Sequence, residues 1–203
     1  MKPPHVLTDA ELLDYADQHI DYELQMLIWT AGLLRALGPI KADGLIAWCA
    51  NNSVMNSFAM HARNLVDFLY SRSLGSDHPT DIVLQDYVSH LGPQSPLPPI
   101  TVLLKSVKTK ADKQVAHLTL DRIRYEKVGK GWDTVEIART IAGAFKAVAP
   151  LFPETRSSQA FRDLISFPKL RIPLIDAQIQ LHELGDPIGV RIALAQAAAT
   201  SAI

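Results

Sequence analysis

Apolar residues return every three or four positions along four separate stretches of the chain, the rhythm of helices packed on one side. The first stretch opens at Thr8, which with Glu11 has the spacing of a capping box, and Asp9 suits the positive end of a helix. Leu13, Ala16, Ile20, Leu24, Leu27, Ala31 and Leu34 then mark one stripe, and Gly38-Pro39 ends it. The second stretch predicts a helix from about Asp43 to Ser71. Its stripe is Trp48, Met55, Phe58, Ala62, Leu65 and Leu69, with Gly75 and Pro79 closing it. The third begins near Pro99, a residue tolerated in a first turn, and follows Ile100, Leu104, Val107, Ala111 and Leu118 until Gly129-Lys130-Gly131. The fourth has Asp133 and Glu136 at its start, then Ile137, Ile141, Ala144, Phe145 and Val148, and stops at Pro150 and Pro153.

Between these lie "TDIVLQDYVSHL", which reads as a short helix, and "GPQSPLPP", which reads as a loop. Proline explains the division: none occurs from Ile40 to His78 or from Ile100 to Ala149, and proline breaks helix interiors. Sustained two-residue alternation is absent. The pattern predicts an all-α fold, a four-helix bundle of long antiparallel helices over residues 1–153. Residues 154–203 lack a clean period and read as a C-terminal extension that packs on the bundle or on a partner.

Composition adds limits. Of the 203 residues, 48% are hydrophobic and 20% charged, a globular balance, and the net charge of −1 gives no overall field for nucleic acid or membrane. The charge is uneven, however. Acids (Asp9, Glu11, Asp14, Asp17, Asp21, Glu23) outnumber bases over residues 1–38, whereas lysine and arginine dominate residues 100–130. The two segments are expected to attract each other or to be solvated, with a polyanion-binding surface as the alternative. Cys49 is the only cysteine, so an intrachain disulfide and a thiolate metal cluster are excluded. The first residues lack an apolar signal core. The longest uncharged stretch, Gly44 to Met60, carries too many Asn and Ser for a bilayer, so a cytoplasmic protein without a membrane partner is expected.

Candidate chemistry gathers in "HARNLVDFLY". On a helical wheel centred on Ala62, His61 and Arg63 flank the core stripe, and Asn64 lies nearly opposite, between Met60 and Phe68. Apolar residues almost all round predict burial on several sides. Arg63 and Asp67 are four apart and can pair. "KQVAHLTLDR" offers His117 and Asp121, also four apart, with Arg122 on the stripe of its helix. His61, Arg63, Asn64 and His117 are the candidate catalytic groups, and Asp67, Asp121 and Arg122 the candidate binding groups. His61 and Asn64 are expected to face the third helix, with His117 and Arg122 as partners. The paired Glu-x-x-His signature of di-iron bundles and glycine-rich phosphate loops are absent, so neither metal nor cofactor is expected.

A long helix carrying Arg63-Asn64, followed by a basic helix with "AHLTLDR", resembles the HEPN superfamily over about residues 8–150. The resemblance implies an α-helical bundle, often dimeric. Many members are metal-independent ribonucleases of toxin or phage-defence systems, using an arginine, a polar residue and then a histidine about one and a half turns on. Arg63 and Asn64 match the first two positions, but Asp67, Phe68, Leu69 and Tyr70 fill the window of the third. His61 or His117 would have to supply it in space. The expected function is therefore a regulatory or interaction module, with a ribonuclease or RNA-binding protein as the alternative. A homodimer with an RNA or protein partner is expected.

Overall fold

A computed structural model describes residues 7–37, 45–75, 80–88, 95–113 and 131–166. Among these the fold is all-α, with no strand. Helix α1 (Asp9–Tyr15) passes through one π-helical turn (Ala16–Ile20) into α2 (Asp21–Leu37). Then come α3 (Leu45–Leu74), the one-turn α4 (Leu84–Tyr87), α5 (Val102–Ala111), α6 (Thr134–Val148) and α7 (Gln159–Ser166).

The capping box at Thr8 forms: its hydroxyl accepts from the Glu11 amide, and Glu11 accepts from the Thr8 amide at 2.8 Å. The expected apolar stripe is corrected at its start, since Leu12 is buried while Leu13 is only half-buried. Leu12, Ala16, Ile20 and Leu24 are spaced by fours, which on ideal α-helical geometry drifts by about 120°. The wider π turn takes up that drift and keeps all four on the core side.

Helix α5 starts later than expected. Thr101, not Pro99, is its boundary, and the Thr101 hydroxyl accepts from the Leu104 amide at 3.2 Å. Leu118 lies outside the described residues. Asp133 caps α6 through the Glu136 amide at 3.0 Å.

Helix α3 packs against α2, α5 and α6 and touches α4, which accounts for its apolar residues on several sides. Helix α6 in turn contacts α2, α5 and α7. Phe58, Ala62, Leu65 and Leu69 are buried as the periodicity predicts, with Val66 and Phe68 buried on further faces. A run of rings ties the segments together. Phe145 stacks on Phe68 at 5.8 Å, Phe68 meets Tyr87 edge-on at 5.8 Å, Tyr87 lies 5.3 Å from Phe152, and Phe152 lies 5.5 Å from Phe161.

Buried Tyr87 donates its hydroxyl to the carbonyl of Leu12 at 2.8 Å, fixing α4 against α1. Arg156 clamps the same region, bonding Asp9 through Nε at 2.7 Å and the carbonyl of Asp86 through Nη1 at 2.8 Å. Residues 152–165 belong to this packing: Phe152, Phe161 and Ile165 are all buried in the core.

Candidate functional site

A cleft of about 400 Å³ opens between the first helix, α3 and the short segment 80–83. The π turn and its neighbours bring Tyr15, His19 and Glu23 to it, each four residues from the last. From α3 come Arg63, Asn64, Asp67 and Phe68, and from the segment before α4 come Asp81 and Ile82. Tyr15 is half-buried and His19 exposed, with their rings 4.7 Å apart. Burial pushes the Tyr15 phenol above its ordinary pKa, and the carboxylates of Glu23 and Asp81 push it the same way.

Glu23 is the hub of one side. His61 Nδ1 lies 2.8 Å from Glu23 Oε2, and Asn64 Nδ2 donates to Glu23 Oε1 at 3.1 Å. A carboxylate only accepts, so the proton of this bond sits on His61 Nδ1. The Tyr22 ring meets the imidazole edge-on at 5.6 Å. The expected burial of Asn64 is wrong: its residue is exposed, because the face between Met60 and Phe68 borders the cleft, across which it reaches Glu23 of α2. The described partner of both His61 and Asn64 is Glu23 of the first helix. His117, Asp121 and Arg122 lie outside the described residues.

Arg63 and Asp67 form the other side. They are 3.9 Å apart, as their spacing predicts, but each has a nearer partner on α5 or at its C-terminal cap. Arg63 Nε sits 2.5 Å from Asp112 Oδ1, out of line for a hydrogen bond, so the pair holds by charge. Lys108 Nζ donates to both oxygens of Asp67, at 2.6 and 2.9 Å. The guanidinium thus has two carboxylates beside it, and Asp67 two cations.

Among the described residues, acids of the first helix reach Arg156 from Asp9, Ser158 from Asp17 at 2.7 Å, and α3 from Glu23; residues 114–130 of the basic segment lie outside the described residues. Two bases of α5 are engaged nearby. Lys108 holds Asp67, while Lys110 donates to the carbonyl of Gly131 at 3.2 Å and lies 5.6 Å over the Trp132 ring.

The structure brings His61, Arg63, Asn64 and Asp67 to one region, with His61 at the Glu23 end. Sequence reasoning missed Tyr15, His19, Glu23 and Asp81. The four-residue spacing of Tyr15, His19 and Glu23 was a signal, since it puts all three on one side of a helix. Asp81 carried no comparable signal. Among the described residues no three His, Cys, Asp or Glu side chains converge as metal ligands, and no helix is long and apolar enough to cross a membrane.

No family model, curated protein or solved structure matches this chain.

Proposed function

We propose that this chain is a non-catalytic, HEPN-like helical module that acts by binding at the cleft, in a regulatory or interaction role of the kind found in toxin–antitoxin and phage-defence systems. The observation that carries this reading is the state of Arg63. Its charge is matched by Asp112 and Asp67 rather than offered to a phosphate, and a transferring phosphoryl oxygen needs an uncommitted donor. Incubating the full chain with RNA, beside Arg63→Ala, tests it: neither protein should cleave.

One observation favours the alternative, a metal-independent ribonuclease or RNA-binding protein. His19 lines the same cleft as Arg63 and Asn64, so an imidazole comes from another helix where the α3 sequence has none in the window after Asn64. Cleavage that disappears in both Arg63→Ala and His19→Ala would establish it.

In this reading the first helix, α3, α5 and α6 make a four-helix bundle with antiparallel neighbours. The mutual packing of α3 and α6 with the other two supports that arrangement. The module works as a homodimer in the cytoplasm. Tyr22 at 52% exposure and Trp29 at 42% place two large rings, seven residues apart, on the outside of α2, where a second copy would cover them. Light scattering at high micromolar concentration should give twice the chain mass; a monomer there would remove this part of the reading.

A further inference from the structure

Among the described residues, the charges around the cleft do not balance. Three carboxylates, Glu23, Asp67 and Asp81, come from three separate elements. Of the cations nearby, Arg63 is occupied by Asp112 and Lys108 by Asp67. Glu23 and Asp81 therefore set the potential at the Tyr15 end. Asp81 is exposed, and no described side chain pairs with it. Glu23 holds His61 and Asn64 through one bond on each oxygen, which leaves each oxygen a further lone pair.

The walls are not purely polar. Tyr15 and Phe68 contribute rings, and Ile20 and Ile82 contribute aliphatic surface. The volume falls in the range of small-molecule sites, and the lining is mostly polar with an apolar minority. Glu23 and Asp81 line the cleft together with Tyr15, whose phenol is raised by burial and further by these two carboxylates. Negative potential from two distant parts of the chain thus meets beside an aromatic face, an arrangement that attracts a cation through charge and through the ring quadrupole together.

We infer that the cleft binds a small organic cation, an ammonium or guanidinium head on an aliphatic body. The head sits by Tyr15 between Glu23 and Asp81, and the body lies along Phe68 and Ile82. This rests on the reading of the chain as a module that binds at the cleft without catalysis. A phosphate or carboxylate ligand would face Glu23 and Asp81 and an arginine already matched by acids, so anions are excluded by the same charges.

Isothermal titration of the full chain with agmatine and with spermidine tests the inference, with inorganic phosphate as the contrasting probe. The amines should bind and phosphate should not, and amine binding should weaken as salt is raised. Asp81→Asn, an isosteric change at an exposed position, should weaken amine binding roughly tenfold with the melting temperature unchanged. Tyr15→Leu should weaken it further, whereas Tyr15→Phe, which keeps the ring, should bind nearly as the parent does. Absence of amine binding, equal affinity in Asp81→Asn, or tighter binding of phosphate would each overturn the inference. An RNA oligonucleotide included in parallel separates the two ideas. Cleavage lost in Arg63→Ala would overturn the non-catalytic reading, whereas amine failure without cleavage would overturn only the choice of ligand.

Discussion

Glu23 and His61, thirty-eight positions apart, meet at 2.8 Å and close one end of the cleft. The imidazole is mostly buried and the carboxylate about a quarter exposed, so the bond is shielded from water without being wholly removed from it. Asn64 shares the same carboxylate. Removing Glu23 leaves two groups of α3 without their partner.

Glu23→Ala is expected to destabilise the fold by about 1–2 kcal/mol, the cost of unpairing partly buried polar groups. His61→Ala should cost a similar amount, and the two changes together less than their sum, because each removes the same bond. Urea melts of the two single variants and the double variant give the coupling directly. Strict additivity would show that the contact contributes nothing.

On the opposite side, Lys108→Met removes the ammonium from Asp67. The pair is partly exposed, so the loss should be no more than about 1 kcal/mol. The consequence for binding is larger. Asp67 loses its nearest cation, and the affinity for agmatine should rise while that for phosphate stays undetectable. An unchanged amine affinity would show that Asp67 does not contribute to the potential in the cleft.

Asp112→Asn gives the converse. Arg63 loses its nearest counter-charge and becomes available to the cleft. Weaker agmatine binding is expected, together with a first measurable affinity for phosphate or RNA. If titration shows neither change, Arg63 is not the group that keeps anions out.

Alkaline pH should destabilise the protein. Burial raises the phenols of Tyr15, Tyr70 and Tyr87 above the ordinary value of 10.0. The unfolded chain then loses these protons before the folded one does, so the folded state binds more protons above about pH 10 and stability falls as pH rises. Below that value all three are protonated in both states and the contribution is constant. Urea melts from pH 8 to 11.5 should show the decline, and Tyr87→Phe should flatten it. That variant should also lose about 1 kcal/mol at neutral pH, since the Leu12 carbonyl gives up its buried donor.

Local signals made much of the fold legible. Thr8 with Glu11 and Asp133 with Glu136 mark helix starts by bonds only three residues long, and the stripe through Phe58, Ala62, Leu65 and Leu69 follows from α-helical period alone. The π turn escaped that period, because Leu12, Ala16, Ile20 and Leu24 align only when the helix widens. The site was legible on α3, where Arg63, Asn64 and Asp67 crowd an apolar helix. Its other half was not. Which residue answers His61 depends on how α2 lies against α3, and Glu23 looked like one more acid in a solvated run. Asp112 and Lys108 were equally ordinary as members of a basic segment, and only the packing of α5 on α3 makes them the partners of Arg63 and Asp67.

Phe68 has two roles that constrain each other. One part of the ring borders the cleft, while the ring stacks on Phe145 and touches Tyr87 within the core. A substitution there to suit a different ligand would disturb the packing of α3, α4 and α6 at once. Position 68 is therefore closed to adaptive change, whereas exposed His19, Asn64 and Asp81 can vary at little cost to the fold. Descendants of this chain would diverge in what they recognise along that polar edge, over an aromatic wall held constant by the rest of the molecule.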